Sequence, residues 1–301
     1  MNAPGWMTGP PKKILLATDL SPHCDRALDR AGALAAQWQS ALVVLHVLEE
    51  KYVRVSAAAG RVPSWRSPPD PLDAVRKDLL ADVGAVAERA TVLISEGDPV
   101  EEILRTADAE GCDLIVIGVG NDELLERFTQ GRVVDRLLRR SRVPLLVVKD
   151  RPRKPYRHIV VAMDLSDPSR HALETAARFF PHQRLTVFHA FDAPVSGLLA
   201  DAESYRDERR RTAAQECEAF LEEVGRPITG WQPPHVLIED GAPTSLLRDY
   251  VRDKEVDLLV LGKQERGAVL EILVGSVAKG IMDEVSCDAM VIRESRFAND
   301  R

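Results

Sequence analysis

The stretch KKILLATDLS, Lys12–Ser21, returns 145 residues further on as RHIVVAMDLS, Arg157–Ser166. In each, a basic pair leads into an apolar run that ends on Asp-Leu-Ser. Other segments echo in the same order. ALVVLHVL (Ala41–Leu48) recurs as RLTVFHAF (Arg184–Phe191), and CDLIVIG (Cys112–Gly118) as VDLLVLG (Val256–Gly262). VPLLVV (Val143–Val148) matches DAMVIR (Asp288–Arg293). A repeat of this length is one unit written twice, and each copy has the size of an ordinary domain. The expected domains are 1–150 and 151–301. They are joined by DRPRKPYRH (Asp150–His158), whose two prolines and basic residues resist helix and favour a short exposed linker.

Within a copy, short apolar runs alternate with helical patterns. In the first, the runs are Ile14–Ala17, Leu42–Val47, Thr91–Ile94, Leu114–Ile117 and Leu145–Val148. Between them, apolar positions recur every three or four residues over Cys24–Gln37, Pro71–Arg89, Pro99–Ala109 and Gly131–Arg140. Asp98-Pro99 reads as a helix start, with an acceptor at the cap and proline in the first turn; Ala242-Pro243 marks its counterpart. Strands that are apolar on both faces, joined by helices, predict a parallel sheet covered on both sides. Right-handed crossovers then make each copy a doubly wound five-stranded α/β sandwich, Rossmann-like in class. Ligands of such sheets bind beyond the carboxyl ends of the strands.

Bulk composition narrows the functions. The 301 residues are 45% hydrophobic and 29% charged, the balance of a folded globular chain. A net charge of −7 argues against a general nucleic-acid surface, and RKPYRH and Arg209–Arg211 read as solvated linker and helix face. The four cysteines lie far apart, without a C-x-x-C pair, which points to a reducing compartment rather than a disulfide scaffold or zinc knuckle. No 18-residue apolar run is present, and MNAPGWMTGPPKK has no apolar core before its lysines. A cytoplasmic protein without a membrane partner is expected.

The residues after the strands carry the chemistry. Asp19 and Asp164 end the first strand of each copy. A carboxylate there can accept from an exocyclic amine or a ribose hydroxyl, and can equally cap the helix that follows. After the fourth strand the second copy reads Gly262-x2-Glu265-x9-Gly275-Ser276, and the first reads Gly118-x2-Asn121-x9-Gly131-Arg132. The strand-end glycines permit close approach of a ligand. Gly131 and Gly275 open the next helix, whose free N–H groups favour an anion. Neither loop is a Walker A sequence or a dinucleotide G-x-G-x-x-G.

Strand-end Asp, an LHV-type second strand and widely spaced glycines before the last helix together resemble the universal stress proteins, in their tandem form. The resemblance covers nearly the whole chain. It implies an adenine-nucleotide site, ATP with Mg²⁺ in the ATP-binding branch of that family. The adenine positions would be Asp19 and Val47 in the first copy, and Asp164 and Ala190 in the second. Ribose and phosphates would fall to Gly118, Asn121, Gly131 and Arg132, and to Gly262, Glu265, Gly275 and Ser276. It further implies closure of the last strands against each other, an internal pseudo-dimer, with homodimers of the whole chain left open.

Each copy departs from the pattern differently. Asn121 stands at the middle glycine of the first, a residue that tolerates left-handed backbone, and Arg132 replaces the Ser/Thr. Glu265 stands at the middle glycine of the second, where a carboxylate opposes a phosphate unless Lys263 or Arg266 offsets it.

No catalytic or metal residues are assigned. No G-x-S-x-G or H-E-x-x-H occurs. His46 and His189 repeat within the second strand and read as core histidines satisfied by neighbours. His23-Cys24 lacks further ligands at zinc spacing, and the remaining histidines are scattered. The expected protein is a non-catalytic stress-response module that binds an adenine nucleotide and acts through protein partners. The alternatives are the same fold with degenerate sites, acting structurally, or a slow ATPase. Tyr52–Asp70 is expected to be a loop, and Ala200–Val224 a charged helix with ion pairs along its length.

Overall fold

A computed structural model describes residues 9–48, 71–84, 89–119, 130–191, 202–263 and 276–293. The chain forms two compact units, one of Pro11–Arg153 and one of Lys154–Arg301 with Met1–Pro10. The first comprises β1 (Lys13–Thr18), α1 (Pro22–Trp38), β2 (Ala41–Leu48), α2 (Pro71–Val83), β3 (Ala90–Glu96), α3 (Pro99–Glu110), β4 (Leu114–Gly118), α4 (Gln130–Arg140) and β5 (Leu145–Val148). Its strands are parallel and lie in the order β3-β2-β1-β4-β5. The second repeats the plan with β6 (Ile159–Met163), α5 (Asp167–Phe179), β7 (Thr186–Phe191), α6 (Ala202–Gly225), β8 (His235–Asp240), α7 (Pro243–Asp253), β9 (Leu258–Lys263), α8 (Ser276–Glu284) and β10 (Asp288–Arg293). Its order is β8-β7-β6-β9-β10, again parallel. Each unit is the doubly wound sandwich that the alternation of runs and helices predicts.

Burial explains the unbroken apolar runs. Ile14, Leu15 and Leu16 of β1 and Ile159, Val160 and Val161 of β6 are fully buried, because successive residues face helices on opposite sides of the sheet. The edge strands β3 and β8 are half-exposed and carry polar ends. Helix punctuation follows the expected chemistry at α3, where the Asp98 carboxylate accepts from the N–H groups of Val100 (3.0 Å) and Glu101 (3.1 Å). Helix α2 stops at Val83, short of the Arg89 that periodicity suggested, because Gly84 takes a φ of +50° and Ala90 already belongs to β3.

A second duplicated aspartate fastens each sheet. Asp113 Oδ2 accepts from the backbone N–H groups of Lys12 (2.8 Å) and Lys13 (3.2 Å). In the second unit Asp257 Oδ2 accepts from Arg157 (2.8 Å) and His158 (2.8 Å). The Asp of C-D-L and V-D-L therefore pins the start of the central strand to the start of its neighbour. Burial raises Asp257, but the two N–H groups and Lys154 outweigh it and hold the carboxyl below its usual range.

Helix α6 also makes ion pairs beyond its own length. Its arginines reach off the helix: Arg210 donates to the carbonyl of Ile238 (2.9 Å) and pairs with Glu239 (3.2 Å), and Arg206 lies 3.6 Å from Asp240. Arg170 of α5 pairs with Glu223 (3.1 Å) and sits 4.6 Å over the Phe220 ring. Ala213, Cys217 and Val224 form its buried stripe. These contacts tie α6 to its own sheet edge. Among the described residues no helix is long and apolar enough to cross a membrane.

Candidate functional site

The order β2-β1-β4 reverses the order in which strands are added beside β1, and β7-β6-β9 does the same beside β6. Crevices open at the carboxyl ends of strands at such points. Register sets what lines them. Thr18 is level with His46 across β1 and β2, and Ala17 with Ile117 across β1 and β4. One residue further on, Asp19, Val47 and Gly118 stand at the ends of three adjacent strands. In the second unit Met163 is level with His189, so Asp164, Ala190 and Gly262 share the equivalent place. Both aspartates are exposed, and Val47 and Ala190 half-exposed.

The backbone at each aspartate is unusual. Leu20 and Leu165 both have φ of 62°, a left-handed conformation that costs a branched L-residue roughly 1–2 kcal/mol. Local hydrogen bonds hold it. Asp19 Oδ1 accepts from Ser21 N–H (2.9 Å), and Asp164 Oδ1 from Ser166 N–H (3.1 Å). In the first unit Leu20 N–H also donates to Thr18 Oγ1 (3.1 Å). Each aspartate closes an Asx turn that leads into a helix, with Ser21 or Ser166 as the N-cap. Ser166 Oγ accepts from Ser169 N–H at 3.4 Å. The cap and ligand roles left open by the residues are thus not exclusive: the capping residue is the serine, and the aspartate shapes the turn while its carboxylate stays exposed.

The second donor to each carboxylate differs between units. Cys24 Sγ–H donates to Asp19 Oδ1 at 3.0 Å, whereas Ser166 Oγ–H donates to Asp164 Oδ1. At the position matching Cys24, Ser169 turns its hydroxyl to the Ser166 carbonyl (2.9 Å). Partial burial pushes Asp19 up, yet the Cys24 thiol and Ser21 outweigh it and leave the carboxyl lowered. Asp164 is lowered too, with partial burial opposed by Ser166 and Ser169. Burial and the Asp19 charge push the Cys24 thiol up to about 11.

His46 and His189 brace the same strand ends. His46 Nδ1 lies 2.9 Å from the carbonyl oxygen of Thr18, and His189 Nδ1 lies 2.9 Å from that of Met163. A carbonyl only accepts, so Nδ1 carries the proton in both rings. Each histidine fastens the strand to the residue before its aspartate. This is the satisfied core role expected of them.

Gly262 is explained by packing. A Cβ there would fall 2.3 Å from the carbonyl oxygen of Pro168 and 2.7 Å from the N of Ser169, in the first turn of α5. Gly118 ends β4, and Gly131 and Arg132 lie in the first turn of α4; Ser276 is the first residue of α8. Asn121, Glu265 and Gly275, like Tyr52–Asp70, lie outside the described residues. Lys263 ends β9 and is 2% exposed. Among the described residues no three His, Cys, Asp or Glu side chains gather into a metal-sized cluster. From the sequence, Cys24 is weighed only as a metal candidate beside His23, and the positive-φ leucines and the Asp113/Asp257 clamps are missed, although the repeated D-L-S and D-L pairs are their signal.

Two tandem, doubly wound domains with duplicated strand-end carboxylates define the class. The family model described as "Universal stress protein family" matches residues 10–149 and again 155–293. The chain belongs to the universal stress protein family, in tandem form. It is 30% identical over 148 residues to universal stress protein YxiE of Bacillus subtilis, covering 46% of this chain and 98% of that one. Universal stress protein E of Escherichia coli strain K12 is 21% identical over 251 residues, 76% of this chain and 79% of its own. A crystal structure of a universal stress protein from Archaeoglobus fulgidus superposes with a TM-score of 0.65 at 20% identity, over 94% of this chain and 98% of that one, and shows the shared fold.

Proposed function

We propose that this tandem universal stress protein is a non-catalytic module that binds an adenine nucleotide, ATP in the first instance, in at least one domain, and acts through protein partners. The observation that carries the reading is the pair of exposed carboxylates, Asp19 and Asp164, each fixed by an Asx turn at a strand-order switch. A prearranged acceptor facing solvent suits an adenine amine or a ribose hydroxyl. Phosphates would fall at the first turns of α4 and α8, where N–H groups are free of intrahelical partners. Asn121 and Arg132 in the first domain, and Glu265, Gly275 and Ser276 in the second, make the two sites chemically unequal. Equilibrium titration of the full chain with ATP and Mg²⁺ tests the reading. Saturable binding lost stepwise in Asp19→Ala and Asp164→Ala supports it, and no saturation at millimolar ATP in the wild type and in Glu265→Gly removes it. ATP turnover abolished by either aspartate variant would replace the non-catalytic reading with that of a slow ATPase.

A second reading, the same fold with degenerate sites acting as an interaction protein, is favoured by Gly262. Its missing side chain is accounted for by the Pro168 backbone without any ligand. Under that reading Asp164→Ala leaves the protein's cellular effect intact.

A further inference from the structure

The two ligand carboxylates are held by chemically different donors. Besides the Ser21 N–H, Asp19 Oδ1 accepts a hydrogen bond from the Cys24 thiol, with Sγ 3.0 Å away; besides the Ser166 N–H, Asp164 Oδ1 accepts one from the hydroxyl of Ser166 itself. Cys24 is 7% exposed and sits in the first turn of α1, so its Sγ is placed by the helix and has little freedom to leave. The N-cap serine differs in step: Ser21 makes no side-chain cap bond, whereas Ser166 Oγ accepts from Ser169 N–H. The matching residue Ser169 has its Oγ 2.9 Å from the Ser166 carbonyl oxygen and 3.2 Å from Met163 Sδ, and with Ser166 it helps to hold the Asp164 carboxyl low.

We infer that Cys24 is the positioning residue of the first domain's ligand carboxylate, and that its thiol proton sets how Asp19 presents itself to an adenine or ribose donor. The inference rests on the reading of Asp19 as a ligand group. A thiol is the weaker donor of the two. In the first domain the side-chain donor to the carboxylate is a thiol and in the second it is a hydroxyl, so the first domain's affinity depends on Cys24 while the second domain's does not. The raised thiol pKa agrees with this role: Cys24 keeps its proton throughout the physiological range and donates at all times.

The test uses the full chain carrying Asp164→Ala, which silences the second carboxylate, titrated with adenosine and with ATP. Cys24→Ala is expected to weaken binding about tenfold, the size of one hydrogen bond to a charged group. Cys24→Ser restores a proton donor and is expected to bind within about threefold of the parent. Equal weakening in Ala and Ser overturns the inference, since packing rather than donation would then be at work. So does unchanged binding in Cys24→Ala. If Asp19→Asn in the same background binds as its parent does, the failure lies with the ligand role of Asp19 itself. Infrared spectroscopy gives a readout that does not depend on binding or on the stability of Cys24→Ala. Asp19→Asn should shift one S–H stretching band of the otherwise native chain upward, and an unmoved set of bands overturns the inference.

Discussion

Gly262 and Pro168 meet backbone to backbone: a Cβ on the first would lie 2.3 Å from the carbonyl oxygen of the second. The strand end that faces the candidate crevice is also where α5 enters the sheet. Gly262→Ala is expected to destabilise the second unit by roughly 2–3 kcal/mol, because neither backbone can step aside as a side-chain tip would. Thermal unfolding followed by circular dichroism checks this. A melting curve unchanged in Gly262→Ala would mean that α5 sits further from β9.

The paired clamps make a matching prediction in both units. Asp113→Ala orphans the amides of Lys12 and Lys13, and Asp257→Ala those of Arg157 and His158. Each is expected to cost about 1–3 kcal/mol. Hydrogen exchange should localise the loss to the first residues of β1 or β6, and uniform exchange across the unit would contradict it.

Alkaline pH should find the buried thiols. Burial raises Cys24 and Cys217 to about 11 and Cys112 to about 12, from an unfolded value of 9.0. Raised pKa values favour the folded state below pH 9, where both states hold the proton. Above pH 9 only the unfolded thiols ionise, so stability falls as pH climbs toward 11, by roughly 1.4 kcal/mol per pH unit for each thiol. Denaturant midpoints between pH 8 and pH 11 check the slope, and Cys217→Ser should flatten it.

Glu265→Gly restores the family's glycine in the second loop. On the proposed nucleotide reading, losing the Glu265 carboxylate is expected to tighten ATP binding about fivefold, from roughly 1 kcal/mol of repulsion. The gain should shrink for adenosine, which has no phosphate; equal gains for both would place Glu265 elsewhere.

Much of the fold was legible in the amino-acid order. Runs such as ILLA and IVVA leave no polar face, so their strands must lie inside a parallel sheet, and the 145-residue echo writes that pattern twice. The histidines of LHV and FHA were readable as core because a strand-interior ring needs a nearby acceptor, and the Thr18 and Met163 carbonyls supply it. Boundaries were less legible: α2 ends at Val83 because of one glycine, which a periodic pattern does not weigh.

Sequence by itself determined which residues end the strands, since that depends on local hydrophobic pattern and on repetition. Only the tertiary structure decided what those residues touch. Asp19 and Cys24 lie five positions apart, and nothing in their spacing says that the thiol will donate to the carboxylate. That contact needs Leu20 at a positive φ, a conformation a leucine adopts only when the surrounding turn and helix impose it. Gly262 likewise looked like a phosphate glycine until α5 was seen to fill the space where its side chain would be.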